Sequence, residues 1–427
     1  MTTAIFLFIF LTVLSLWLAQ RLSESHPGTK LSIFKGLVFY HIILSVVYYL
    51  YALVNNSDSW YYHHKVETNW LGATSWWDYY GVSTTFIEFL GYPFIIFFGF
   101  SYEAMMILFA WFGLLGFFYF YIVLRERLQH THTFFGYDLL ILILFLPNLH
   151  FWSASYGKGS IIFLGFGLYF YALNKINQRW IAGVIGAIII YHVRPHILFV
   201  VMLASAWGFI FSTKGISWTL RFMVILVSFG AFYYIKEDVL ALTGISADEI
   251  FQDSTTLSNR AASLSTSGSG VDISNYSLPM KLFTFWFRPL FFDAPGILGI
   301  IVSFENIFYL LIFSKLFRWN FIDYFKQSDH VVKASFLTFL GVSFALAQIS
   351  GNLGIAMRQK SQVMILMMFV ILKFLDEQRY WEGLRKEQRE KIKANRAVMA
   401  KRRVVGRKRG AVDNGQAGNG LLTMGNG

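Results

Sequence analysis

Eleven long apolar runs decide what this chain can become: 4–19, 33–54, 103–123, 137–152, 160–174, 181–192, 195–212, 218–235, 297–314, 331–349 and 361–375. A bilayer core of about 30 Å takes about 20 helical residues, and in lipid only helices or closed barrels satisfy every backbone N–H and C=O. Runs this long and unbroken indicate helices. The predicted fold is an all-α integral membrane protein of about 11 transmembrane helices, with two long outer-face loops and a charged cytoplasmic C-terminal helix. Composition agrees, because 56% of the 427 residues are apolar and 14% charged, against roughly 45–50% and about 25% in a globular domain. Forty-six Phe residues need a solvent other than water. The absence of cysteine excludes disulfides, thiolate zinc, iron–sulfur ligation and a cysteine nucleophile.

The charge distribution gives the orientation. Cytoplasmic loops retain Lys and Arg. The first run has no basic residue before it and Arg21 just after, which reads as an uncleaved anchor with its N-terminus outside. Eleven crossings then place the C-terminus in the cytoplasm, and 27 of the 36 Lys/Arg fall on inner segments. From residue 377 on there are thirteen Lys/Arg against five Asp/Glu, so the formal charge of +12 is mostly local. This gives a polytopic membrane domain over 1–376, a basic cytoplasmic helix over 377–410 and a Gly/Asn-rich tail, 411–427, expected to be disordered. Pairs such as Glu382/Lys386 and Glu387/Lys391 have the i,i+4 spacing that supports a helix. Anionic inner-leaflet lipids are the natural partner for this basic helix. It carries no aromatic platform for nucleic acid.

Two outer loops are long. The first, 55–102, holds the run Val82 to Phe100, interrupted by Gly91, Tyr92 and Pro93. Parity requires an odd number of crossings between 54 and 124, so this run is read as an interfacial or re-entrant helix. The second, 236–296, includes the Ser, Thr and Gly-rich stretch Ser254 to Ser277, expected to be a mobile lid.

Nine cations remain outside, against the bias that orients the chain. Lys158 follows Trp152-Ser153-Ala154-Ser155-Tyr156-Gly157, Arg194 lies in His192-Val193-Arg194-Pro195-His196, and Arg288 in Phe287-Arg288-Pro289. Arg358 and Lys360 close the segment that begins at Asn352. Each is flush with a membrane boundary, so four segments can deliver cations to one outward site. Arg in particular suits bidentate phosphate binding. The bland alternative is that each side chain snorkels to outer-leaflet headgroups.

Acids share that side. Asp58 follows the second run, and Glu67 and Asp78 lie in the same loop. A carboxylate beside a cationic cluster is what glycosyl transfer from a lipid phosphate requires, one group taking the acceptor's proton and the other stabilising the departing phosphate. Asp58 can equally cap a loop helix. Asp293 and Glu305 bracket the start of the ninth span, and Glu305 within the apolar region marks either a site or a structural hydrogen bond. His63, His64, Asp58 and Glu67 lack a ligand signature, so no metal is assigned, although a divalent ion is not excluded. No nucleotide-binding motif occurs.

The order of these residues resembles a bacterial family. Asp58 with Tyr61 and Tyr62, Phe151-Trp152-Ser153 before Gly157-Lys158, Arg194-Pro195-His196, Phe287-Arg288-Pro289, Glu305-Asn306 and Asn352 to Arg358 are similar to multi-pass lipid-linked-sugar glycosyltransferases of the GT-C class and O-antigen-type polysaccharide polymerases. The likeness covers most of 50–375. It implies transfer or polymerisation of saccharide units from a polyprenyl phosphate or pyrophosphate carrier to a glycan acceptor, at the outer face of the bacterial cytoplasmic membrane, in cell-envelope polysaccharide assembly. It would make Asp58 the base and Lys158, Arg194, Arg288 and Arg358 the phosphate ligands. The candidate site also includes Glu305 as a second catalytic acid, and His196, Asp293, Asn352 and Lys360 as substrate-binding groups. No cofactor is expected. Two departures stand out: the large outer C-terminal domain of many GT-C enzymes is absent, and the first loop lacks adjacent acids. A transporter or flippase of a lipid-linked anionic glycan, and a non-catalytic subunit of an envelope complex, are the other readings.

Overall fold

The computed structural model describes residues 2–212, 217–243, 270–273, 275–318, 320–348 and 350–419. The expected lid at 254–277 therefore lies largely outside the described residues, as do Lys214, Arg260 and the end of the tail. The chain divides into two units, 1–374 and 375–427, close to the expected boundary at 376.

The described residues are almost wholly helical. In order they are α1 (Thr2–Ser25), α2 (Leu31–Val54), α3 (Asp58–Glu67), α4 (Thr84–Tyr92), α5 (Tyr102–Arg127), α6 (Leu139–Leu144), α7 (Pro147–Ser153), α8 (Lys158–Asn174), α9 (Ile176–Val193), α10 (Pro195–Ile210), α11 (Trp218–Thr243), α12 (Leu278–Phe287), α13 (Gly296–Phe313), α14 (Asn320–Gln327), α15 (His330–Ala347) and α16 (Leu353–Asn419). A two-residue hairpin pairs Thr133–Phe134 with Tyr137–Asp138. Among the described residues, six helices are long and apolar enough to cross a membrane: Thr2–Ser25, Leu31–Val54, Tyr102–Arg127, Gly296–Phe317, His330–Ala347 and Leu353–Met399.

The boundaries follow local chemistry. Ser57, Asp138 and Asp329 each accept a backbone N–H from the first turn of α3, α6 and α15, satisfying donors that a helix start leaves free. Pro147 and Pro195 begin α7 and α10, where the missing N–H costs nothing. The run 82–100 forms α4 and one π-helical turn at Pro93–Phe97.

Burial sorts the helices of the first unit into a core and a periphery. α5 and α8 bury Phe109, Phe117, Phe118, Phe163, Phe166 and Phe170, and the first third of α16 is buried on all sides from Val363 to Leu372. A helix that is apolar all round belongs at the centre of a bundle. α1 and α2 expose Phe6, Ile9, Val13, Phe39, Ile43 and Leu50, an apolar outer surface suited to lipid. α5 and α8 approach closely because both carry glycine at the crossing. A Cβ on Gly167 would stand 2.9 Å from the Gly116 carbonyl oxygen, so a larger residue would push the helices apart.

The run 137–152, read as one span, is broken. α6 ends at Leu144 and α7 starts at Pro147, whose ring cannot continue a helix and restricts the residue before it. A break inside an apolar bundle frees backbone groups that water cannot reach. Side chains from distant helices take them up. Glu305 Oε2 accepts the Asn148 N–H at 2.9 Å, and His150 Nε2 donates to the Leu144 carbonyl at 2.8 Å. Glu305 Oε1 also accepts from the Tyr309 hydroxyl at 2.6 Å.

Candidate functional site

Four of the residues expected to face outward, Asp58, Lys158, Arg194 and Arg358, come together. Asp58 opens α3, and its carboxylate accepts from Arg358 Nη1 at 2.5 Å across 300 residues of chain. The Asp58 side chain stays 54% exposed while Arg358 is 24% exposed, so the acid reaches solvent and the guanidinium is held behind it. Trp152 lies beneath Arg358, 5.9 Å from ring centre to guanidinium carbon, a cation–π arrangement. Trp152 is itself fixed by its indole N–H to Asn148 Oδ1 at 3.0 Å.

Lys158 completes the cluster from the first turn of α8. Its ammonium donates to Ser83 Oγ at 2.9 Å and Thr84 Oγ1 at 2.8 Å, and lies in the field of Arg194, Arg358, Asp58 and Glu88. Arg194 sits between α9 and α10 and interacts with Arg358 and Tyr62. Three cations and one carboxylate thus share a region, and Tyr62 interacts with Asp58, Arg358 and Arg194. Burial, and then the Asp58 charge, push the Tyr62 phenol up to about 12, so this hydroxyl keeps its proton.

Arg288 does not join them. Its Nε donates to Asp293 Oδ2 at 2.5 Å, and Asp293 Oδ1 accepts the Leu290 N–H at 2.6 Å. Lys360 supports this turn from inside, donating to the carbonyls of Trp286 and Arg288 at 3.1 and 3.0 Å and to Asn306 Oδ1 at 2.6 Å. Arg358 and Lys360 are two residues apart, about 200° around a helix. The two groups therefore flank opposite sides of the start of α16. Glu305 is fully enclosed, with its oxygens on Asn148 and Tyr309, and plays the structural part left open for it above. Asn352 Oδ1 accepts the Ile355 N–H at 3.1 Å at the start of α16, and His196 lies half-buried on the first turn of α10.

Other loop residues take structural roles. Asp78 accepts from the N–H groups of Thr74 and Ser75 at 2.7 and 2.9 Å, which hold its carboxyl below the usual range. His63 Nε2 donates to the Phe100 carbonyl at 3.1 Å and its Nδ1 faces Glu67 at 3.6 Å, while His64 stacks on Trp60 at 4.5 Å. Among the described residues no three His, Asp or Glu side chains converge as metal ligands.

Two residues that the sequence did not single out belong to the cluster. Ser83, whose hydroxyl accepts a hydrogen bond from the Lys158 ammonium, has φ +67°, a region costly for any residue but glycine. Its N–H donates to the His192 carbonyl at 2.6 Å, tying α4 to the segment that carries Arg194. Glu88 is buried on α4 with the Lys65 ammonium 3.5 Å away and no hydrogen bond to Oε1. Burial pushes its carboxyl up, against the pull of Lys65 and Lys158. Comparison with family models, with curated proteins and with solved structures finds no match to this chain.

Proposed function

We propose that the chain is a membrane glycosyltransferase or polysaccharide polymerase that takes saccharide units from a polyprenyl-linked phosphate or pyrophosphate at the outer face of the bacterial cytoplasmic membrane. One observation carries this reading: Asp58, Lys158, Arg194 and Arg358, from four separated segments, come together with an exposed carboxylate in front of half-buried cations. With the eleven crossings expected from the sequence, the N-terminus outside and the basic helix on anionic cytoplasmic lipid, that cluster would lie on the outer side. In the resting state Arg358 holds Asp58. A lipid phosphate entering among the cations takes Arg358 as its own partner and frees the carboxylate. The acceptor hydroxyl attacks the anomeric carbon, the bond to the phosphate oxygen breaks, Asp58 takes the hydroxyl proton, and the cations stabilise the departing phosphate. Arg288 and Asp293 then act as a support for the start of α16, outside the phosphate site.

Purified protein in bilayers, given a polyprenyl-linked sugar and a glycan acceptor, should form product, and Asp58→Asn and Arg358→Ala should each reduce the rate at least 100-fold. Normal turnover by both variants would remove the site. The buried ionisable groups Glu305, Lys360, His41 and His150 favour a second reading, a transporter or flippase of the same anionic lipid. Movement of labelled lipid across liposomes without bond formation would select it.

A further inference from the structure

We propose that His41 and His150 form a proton-binding site in the middle of the bundle, holding one proton more than two neutral imidazoles carry. The count comes from what faces each ring nitrogen. His41 Nε2 lies 3.0 Å from the Ala110 carbonyl oxygen and His150 Nε2 lies 2.8 Å from that of Leu144. A carbonyl oxygen has no proton to give, so both Nε2 atoms must carry one. The two Nδ1 atoms face each other at 2.9 Å, a hydrogen-bond distance that requires a third proton on one of them. Two neutral rings supply two protons for these three bonds. The pair is therefore an imidazole and an imidazolium sharing a proton between the Nδ1 atoms.

The surroundings suit a held cation. Phe117 of α5 stacks on His150 with ring centres 3.7 Å apart, offering its π face to the charge. On α2, Tyr40 meets His150 edge-on at 4.8 Å. Two acids reach this region: Glu305 of α13, bonded to the Asn148 N–H two residues from His150, and Glu103 of α5, which lines the cleft beside His41 and accepts from the Tyr49 hydroxyl at 3.1 Å. Lys360 of α16 is bonded to the adjacent Asn306. On α1, Leu11 and Ser15 share a cleft of about 240 Å³ with His41, and the Ser15 hydroxyl donates to its own helix at the Leu11 carbonyl. α8 contributes Phe163 against Phe117. His41 is ten residues from Leu31 and thirteen from Val54 on α2, roughly 15–20 Å from each end. The shared proton thus lies near mid-depth, where ionisable groups mark proton-handling sites. The proposal is independent of the phosphate cluster.

The test is nitrogen NMR of the full chain, labelled with 15N-histidine and reconstituted in bilayers at pH 8. An isolated histidine of pKa about 6.5 is there only about 3% charged. The expected spectrum keeps one imidazolium per chain, with its Nδ1 proton correlated to a second, unprotonated Nδ1, and both signals disappear in His41→Gln and in His150→Gln. Spectra in which all ten histidines are neutral at pH 8, or in which one Nε2 of the pair is bare, would overturn it. If neither variant folds, the wild-type spectrum alone decides.

Discussion

At the scale of single residues, the candidate site shows which part of its chemistry lies in residue type and which in three-dimensional neighbours. Lys158, Arg194 and Arg358 were legible because cations expected on the outer side contradict the charge bias of the chain, and Asp58 because it is an acid on that same side. Arg288 carries the same signature, yet Asp293 five residues later takes its guanidinium, and no spacing rule separates those two outcomes. Ser83 and Glu88 gave no signal, since their importance lies in contacts with Lys158 and Lys65 far along the chain. Ser83 offers a direct test. Ser83→Gly and Ser83→Ala both lose the hydroxyl that accepts from Lys158, but only glycine relieves the positive φ. The glycine variant should melt higher than the alanine variant by an amount worth about 1 kcal/mol, read by thermal denaturation in detergent. Equal stability would mean that the backbone is unstrained. Glu88 gives a pH prediction. Its folded carboxyl is pushed up, so the folded state binds a proton more tightly than the unfolded chain, and stability declines as pH rises from the ordinary carboxylate range through the raised value. Glu88→Gln should remove that decline, leaving the two proteins alike near pH 4 and the variant more stable at pH 7. A wild-type profile flat from pH 4 to 7 would contradict it.

At the scale of elements, the apolar runs gave the helices and concealed how they are interrupted. Pro147 was in plain view, but an apolar run reads through a proline because hydropathy carries no information about N–H groups. What makes the break tolerable is Glu305, 157 residues away, accepting the freed Asn148 N–H. This predicts an order among variants. Glu305→Gln keeps an acceptor for Asn148 and should fold with a modest loss. Glu305→Leu leaves a buried N–H and the Tyr309 hydroxyl without partners, costing about 1–3 kcal/mol for each group, and folded yield by size exclusion should fall sharply. If the leucine variant matches the glutamine one, the break does not depend on Glu305. The α5–α8 crossing is a second case: Gly167→Leu should separate the helices and lower the melting temperature, because the position faces the Gly116 backbone rather than a movable side chain.

At the scale of the whole molecule, the partition of charge is the feature on which the outer location of the site depends, and it can be tested apart from any activity. The chain has no cysteine, so single cysteines report position without background. Trp70 is 74% exposed in the first long loop and Tyr137 is 70% exposed in the hairpin after α5, while Ile392 on α16 is 52% exposed in the basic unit. Between Trp70 and Tyr137 only α5 is long and apolar enough to cross a membrane among the described residues, so the two should lie on opposite sides. Arg125 and Arg127 at the end of α5 put Tyr137 inside. A membrane-impermeant maleimide should therefore label Trp70→Cys in intact cells, and label Tyr137→Cys and Ile392→Cys only after permeabilisation. Labelling of the last two alone in intact cells would invert the molecule and put Asp58 and its cations in the cytoplasm, where transfer from an outer-leaflet carrier is impossible. Labelling of all three in intact cells would mean that α5 does not cross, and the parity by which the run 82–100 is expected to be interfacial would be lost with it.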